Sequence, residues 1–172
     1  MGSTVVDYDL VVLHGIVVTD QFEGEYDVAV KDGKIAAVEP RGSLSGHTSK
    51  KTIDAQDGYV MPGGVDAHVH LEEPQLFGKG STADTFETGT RSAICGGTTT
   101  IIAFAPQSKT EDSLLGALAS THAKAKDKCY CDYSFHVIVG NASATALNEF
   151  ATLRAEGISS LKIYMTYASP RL

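Results

Sequence analysis

The chain has 172 residues, 42% of them hydrophobic and 20% charged, with a formal net charge of −7. This is ordinary globular composition, with room for one sizeable core and a smaller appended unit. The negative balance, without a Lys/Arg cluster, argues against nucleic acid or an anionic membrane as a partner, and no apolar run reaches the roughly 18 residues of a transmembrane span.

The opening MGSTVVDYDL carries two aspartates and no basic stretch, which predicts no secretory leader. Cys95, Cys129 and Cys131 are odd in number, as expected for reduced thiols in the cytoplasm. Cys129-x-Cys131 is spaced more tightly than the usual zinc pair, whose cysteines are separated by about two to four residues.

Residues 1–57 read as an all-β segment. Short β-branched runs at Asp9–Leu13 and Ile16–Val18 surround His14-Gly15. Tyr26–Val30 and Ile35–Val38 flank Lys31-Asp32-Gly33-Lys34, whose Asp-Gly is a strong hairpin signal. Ser43–Lys51 is polar and predicts a loop, and Thr52–Ala55 a further strand.

Residues 58–172 have a different pattern. Tyr59–His70 predicts a strand, interrupted or preceded by a turn at Pro62-Gly63-Gly64. Ala83–Cys95 predicts a helix stopped by Gly96-Gly97. Thr98–Ala105 (TTTIIAFA) is the β-branched run of a strand covered on both faces. A helix over Glu111–Lys126, with Thr110 as N-cap, precedes a strand at Tyr133–Val139. Ser143 can cap a helix ending at Gly157, and Ser159–Thr166 predicts the last strand. The alternation βαβαβαβ predicts a parallel α/β sheet with right-handed crossovers. Four strands make half of a (β/α)8 barrel, or a smaller open sheet.

The strongest chemical signal is His68-x-His70 at the end of the Val60–His70 run. Strand residues two apart leave on the same face, so both imidazoles can meet one divalent metal, although unrelated histidines also fall at this spacing. Lys162 lies in the otherwise apolar run SSLKIYMT. It is either a strand-end lysine reaching solvent or a buried amine with a special task. Tyr167 follows just past the strand end, either at an active-site rim or in an ordinary loop.

Four blocks in order resemble the dihydropyrimidinase/hydantoinase family of the amidohydrolase superfamily: Ile53-Asp54-Ala55, Pro62–His70 (PGGVDAHVH), Gly96–Thr100 (GGTTT) and Ser159–Tyr167 (SSLKIYMTY). The resemblance covers the N-terminal portion of such an enzyme. It implies an α/β protein, with a β-sandwich segment over residues 1–57 and the first half of a metal-dependent (β/α)8 TIM-like barrel over 58–172. It also implies that His68 and His70 hold one metal, that Lys162 is carboxylated to bridge two Zn2+ ions, and that Tyr167 hydrogen-bonds the scissile carbonyl. A lysine amine must be neutral to take up carbon dioxide, and burial lowers its pKa readily. The implied reaction is zinc-dependent hydrolytic ring opening of dihydropyrimidines (dihydrouracil, dihydrothymine) or hydantoins, by a cytoplasmic homo-oligomer, a tetramer in the family.

The family also uses two histidines on strands five and six and an aspartate on strand eight, none of them within these residues. The 172 residues alone are therefore expected to be inactive and exposed along one sheet edge. Allantoinase is the nearest rival activity, and a non-catalytic scaffold or a module docking on a longer subunit are the rival classes. Where related dihydroorotases carry an arginine for the substrate carboxylate, this chain has Glu72, which favours a neutral ring. Asp66 shares the histidines' face if alternation is strict, and could orient one of them. Gln107 and Asn141 fall on the rim where substrate contacts form. His14, His47, His122 and His136 read as surface or packing residues.

Overall fold

The computed structural model describes residues 7–74 and 80–165, which divide into two compact units, Met1–Pro62 and Gly63–Leu172. The first unit is a mixed sheet. Its strands are β1 (Tyr8–Val18), β2 (Glu23–Lys31), β3 (Lys34–Pro40), β4 (Ser49–Asp54) and β5 (Tyr59–Val60), in the order β3-β2-β1-β4, with β5 also paired to β1. The β2–β3 hairpin turns on Asp32 and Gly33, both at positive φ, as the Asp-Gly pair demands. The two runs around His14-Gly15 form one strand, not two. His14 sits at φ 56° and the β1–β2 register shifts there, so that β1 pairs with β4 on one side of the bulge and with β5 on the other. Tyr59–Val60 therefore belongs to this sheet instead of continuing into the strand that follows. A Cβ on Gly15 would lie 2.6 Å from Val60 Cγ2, so the close seating of the Val60 side chain over the bulge requires glycine there.

Asp27 secures this unit. It is fully buried, and its carboxylate accepts the backbone N–H groups of His14 (2.9 Å), Gly42 (2.7 Å) and Leu44 (3.3 Å). One side chain thus satisfies both the bulge and the 42–44 turn, whose Leu44 packs with Val11 and Ala29.

The second unit is a four-stranded parallel sheet in the order β6-β7-β8-β9, formed by β6 (Gly64–Val69), β7 (Thr98–Pro106), β8 (Asp132–Ile138) and β9 (Leu161–Lys162). The crossovers carry α1 (Phe86–Cys95), α2 (Leu114–Ala125), and α3 (Ala144–Asn148) followed by α4 (Phe150–Ala155). Ile101, Ala103, Ala105, Phe135 and Val137 face the helices and pack with Phe86, Leu114, Leu118 and Leu153. Each fully buried large side chain here contributes about 1.5–3 kcal/mol.

Several boundaries differ from the sequence expectation. Helix α1 starts at the Thr85 N-cap, whose hydroxyl accepts from Thr88 N and closes a capping box. Helix α2 is capped by Ser113 instead of Thr110, because Ser113 Oγ reaches Gly116 N while Thr110 pairs with Ser108. The helix capped by Ser143 breaks at Glu149, whose carboxylate crosses to the start of α2. It accepts from Ser113 Oγ (2.7 Å), Leu114 N (2.6 Å) and Leu115 N (3.0 Å). Strand β9 is Leu161–Lys162, shorter than the anticipated Ser159–Thr166, of which Thr166 lies outside the described residues. Within the second sheet both terminal strands, β6 and β9, have an edge unpaired by any described strand; Val65 of β6 is 64% exposed, and Ile163 and Met165 just past β9 are exposed in large part.

Two outcomes follow. Asp27→Ala orphans three backbone donors and should destabilise the first unit by about 2–3 kcal/mol, with Asp27→Asn losing less, read by hydrogen exchange of β1 and β2 amides. Glu149 is depressed below its usual value: burial pushes it up, but the N–H of Leu115, the Ser113 hydroxyl and the N–H of Leu114 together outweigh that. A depressed folded pKa gives stability that is present above the ordinary carboxylate range and lost as pH falls through the folded value. Glu149→Gln should remove about 1 kcal/mol at neutral pH and flatten the acid loss in urea titrations across pH 3–7.

Candidate metal centre

The strand carrying the two histidines is not regular. Asp66 pairs opposite Ile101 but Val69 opposite Ala103, a one-residue slip in β6 against β7. Bulges of this kind are common beside active sites, where they re-aim side chains. Past the slip, Val69 packs toward the helix-side core, and His68 and His70 take the opposite face. The slip also breaks the strict alternation that would put Asp66 with them. Its Oδ1 accepts the backbone N–H of His68 (3.1 Å) and bonds neither imidazole among the described contacts.

On that face the rings of His68 and His70 lie 5.2 Å apart, with their Nε2 atoms separated by 3.3 Å. Phe104, only 4% exposed, is the floor of the site. Its ring stacks on His70 at 4.5 Å, meets His68 edge-on at 4.8 Å, and has Lys162 Nζ 4.1 Å above its centroid. Lys162 also lies over the Tyr164 ring, at 5.1 Å. The sheet thus brings His68, His70 and Lys162 to one aromatic side chain. Tyr167 lies outside the described residues.

Among the described residues, no three His, Cys, Asp or Glu side chains form a metal-sized cluster. The imidazole pair nevertheless fits an ion well. Two nitrogens each about 2.0–2.1 Å from a tetrahedral zinc stand about 3.3–3.4 Å apart, which matches the Nε2 separation. A lysine amine becomes an oxygen donor once carboxylated, so the donor set suits a cation that the two imidazoles alone would leave half coordinated.

Two carboxylates after the histidines behave differently from solvated charges. Glu72, at φ 50°, accepts the Phe86 N–H at the start of α1 (3.1 Å), and its carbonyl accepts from Lys124 Nζ. Its carboxylate is therefore engaged at a helix terminus. Glu73 is buried, and its Oε2 lies 2.6 Å from His70 Nδ1. Sequence reasoning gave Glu73 no role; the one available signal was its i,i+3 spacing from His70.

His136 also has a larger part than packing. Its ring lies 5.3 Å from Phe104, its Nε2 donates to the Ala67 carbonyl at the bulge (3.0 Å), and its Nδ1 accepts from the Ser160 hydroxyl. It thereby ties β6 to the strand start two residues before Lys162. Gln107 and Asn141 turn out to be loop staples. Gln107 Oε1 accepts from Gly140 N and Asn141 N, and its Nε2 donates to the Glu111 carbonyl, while Asn141 Nδ2 donates to Glu111 and Asp112. Cys129 donates to the Ala125 carbonyl, and burial, then Cys131, pushes its thiol up, which suits an inert core cysteine.

The amidohydrolase family model matches residues 59–164, which spans β5 to β9 and every group on this face. The chain belongs to the amidohydrolase family. It is 45% identical over 159 residues to the D-hydantoinase of Streptomyces coelicolor, covering 91% of this chain and 33% of that one. It is 38% identical over 161 residues to the dihydropyrimidinase of Rattus norvegicus, covering 92% and 30%. A solved D-hydantoinase structure superposes with a TM-score of 0.87 at 36% identity, over 95% of this chain and 34% of the other. The chain thus spans about a third of the length of the relatives it matches. The fold is that of a β-sandwich segment followed by part of a TIM-type barrel, as the resemblance implied. Among the described residues, no helix of this amidohydrolase is long and apolar enough to cross a membrane.

His136→Ala should leave the first unit unchanged but loosen β9. The Val139 amide, which donates to the Lys162 carbonyl, should exchange about tenfold faster, as measured by hydrogen exchange with mass or NMR detection.

Proposed function

We propose that this chain carries part of the binuclear zinc centre of a hydantoinase- or dihydropyrimidinase-type cyclic amidohydrolase. The 3.3 Å approach of His68 Nε2 to His70 Nε2, on the aromatic floor that Lys162 also faces, carries this reading. In it, His68 and His70 would hold one Zn2+, and Lys162, once carboxylated on Nζ, would supply oxygen donors to it and to a second ion. Ions held there would supply a nucleophilic water near neutral pH and polarise the scissile carbonyl.

The chain's own contribution is positional. Phe104 excludes water from beneath the imidazoles and limits their rotation, since it packs against both rings. The same ring and Tyr164 flank the Lys162 amine and hold its Nζ on the face of the two imidazoles, where a carbamate would form. Tyr167 would donate to the developing oxyanion. The names of the relatives favour a five- or six-membered cyclic amide as substrate and a hydrolase acting on its carbon–nitrogen bond. A homo-oligomer in the cytoplasm accompanies this reading.

The expected outcome is divided. The 172 residues alone, supplied with zinc and bicarbonate, should not open dihydrouracil or hydantoin, because too few ligands are present. A longer polypeptide carrying this sequence should do so, followed by loss of the ring amide's ultraviolet absorbance. Lys162→Ala in that longer form should lower turnover by at least about a hundredfold, more than an outer-sphere change would. An unmodified Lys162 in its intact mass, or full activity of the alanine variant, would refute the assignment. Allantoin in place of dihydrouracil separates the nearest rival activity.

A further inference from the structure

We infer that Glu73 is a positioning residue for the metal centre: its carboxylate holds the His70 proton on Nδ1, so that the Nε2 lone pair faces the ion. The inference rests on the zinc reading above and names a group which that reading leaves out.

Three observations carry it. A carboxylate can only accept, so the 2.6 Å contact of Glu73 Oε2 with His70 Nδ1 places a ring proton on Nδ1, and in the neutral imidazole this leaves Nε2 bare. That bare nitrogen is the one 3.3 Å from His68 Nε2. Secondly, the carboxylate is placed from its backbone and has little freedom to wander. Glu73 N donates to Thr82 Oγ1 (3.2 Å), its carbonyl accepts from Thr82 N (2.8 Å), and the next residue, Pro74, forms an isolated bridge with Ser81. The left-handed backbone at Glu72 redirects the chain between the histidine and the glutamate.

Thirdly, Glu73 is only 8% exposed, and among the described residues nothing donates to its Oε1. A buried carboxylate with a half-empty hydrogen-bond complement is costly unless a positive charge compensates it. A cation on the far nitrogen of the same imidazole would provide that compensation through the ring. The arrangement is the carboxylate–histidine–metal relay, in which the outer partner fixes the tautomer and raises the basicity of the ligand.

The test reads the tautomer directly. The full chain, 15N-labelled on histidine and metal-free, is examined by solution or magic-angle-spinning NMR, with the His70 signals assigned by their loss in His70→Ala. Wild type should show Nδ1 protonated and Nε2 unprotonated. Glu73→Ala should mix the tautomers and weaken Zn2+ binding by about 10–100-fold in competition with a chromophoric chelator. Glu73→Gln, whose amide oxygen still accepts from Nδ1, should keep the tautomer and rescue most of the affinity. A wild-type His70 protonated on Nε2 overturns the inference, and so does a Glu73→Ala chain with unchanged tautomer and affinity. Failure of the zinc reading has a different signature: Zn2+ affinity would be indifferent to His68→Ala and His70→Ala, whatever the tautomer at His70.

Discussion

Everything chemical in the second unit depends on the register in which β7 pairs with its two neighbours. Paired residues of a parallel sheet point to the same side. Phe104 lies opposite His136, and Ile138 opposite Lys162, so Lys162 shares the face of Phe104 although it comes from two strands away. On the other edge, Val69 opposite Ala103 sends His68 and His70 to that same face. A slip of one residue at either boundary would turn the imidazoles or the amine into the helix-side core. The run TTTIIAFAP prevents it, because Ile101, Ala103 and Ala105 bury completely only when they face the helices.

The β6 bulge shows how a local irregularity is absorbed. Slipping one residue between Asp66 and Val69 disturbs the ladder, and each group affected finds a partner close by. Asp66 takes the His68 amide, and His136 takes the Ala67 carbonyl. Both partners are side chains, so these two backbone groups stay paired while the histidines are re-aimed. His136 also carries a bond to Ser160, so the same ring that mends β6 braces the approach to Lys162.

Much of this was legible in the sequence, for physical reasons that can be named. The β-branched runs, the Asp32-Gly33 turn and the Gly stops each act locally, and each appears in the fold at its place. The site pair His68-x-His70 was legible because strand periodicity is short-ranged. What could not be read depended on competition or on distance. Ser113 displaced Thr110 as a cap because hydroxyls three residues apart are equivalent candidates until packing chooses one. Glu149 carries no local signal of its role, because its partners lie at the start of α2, more than thirty positions earlier in the chain. The role of Asp66 failed for a related reason, since alternation holds only where no residue is inserted.

The two faces of the second sheet divide stability from chemistry. Its helix side is a continuous apolar layer in which the buried hydroxyls of Thr90 and Thr121 donate to the preceding turn of their own helix, and Thr90 also accepts from Tyr130 N. Its other side presents His68, His70, His136 and Lys162 around the one ring of Phe104, with Glu73 behind. A face of this kind buries little apolar area and gathers several groups that compete for protons, so it adds little to folding free energy. Such a cost is tolerated where polar groups are held ready for a ligand that only the folded chain can bind. Exchanges on the helix side should therefore act mainly through stability, whereas exchanges of His68, His70 and Lys162 should act mainly through affinity for the proposed cation.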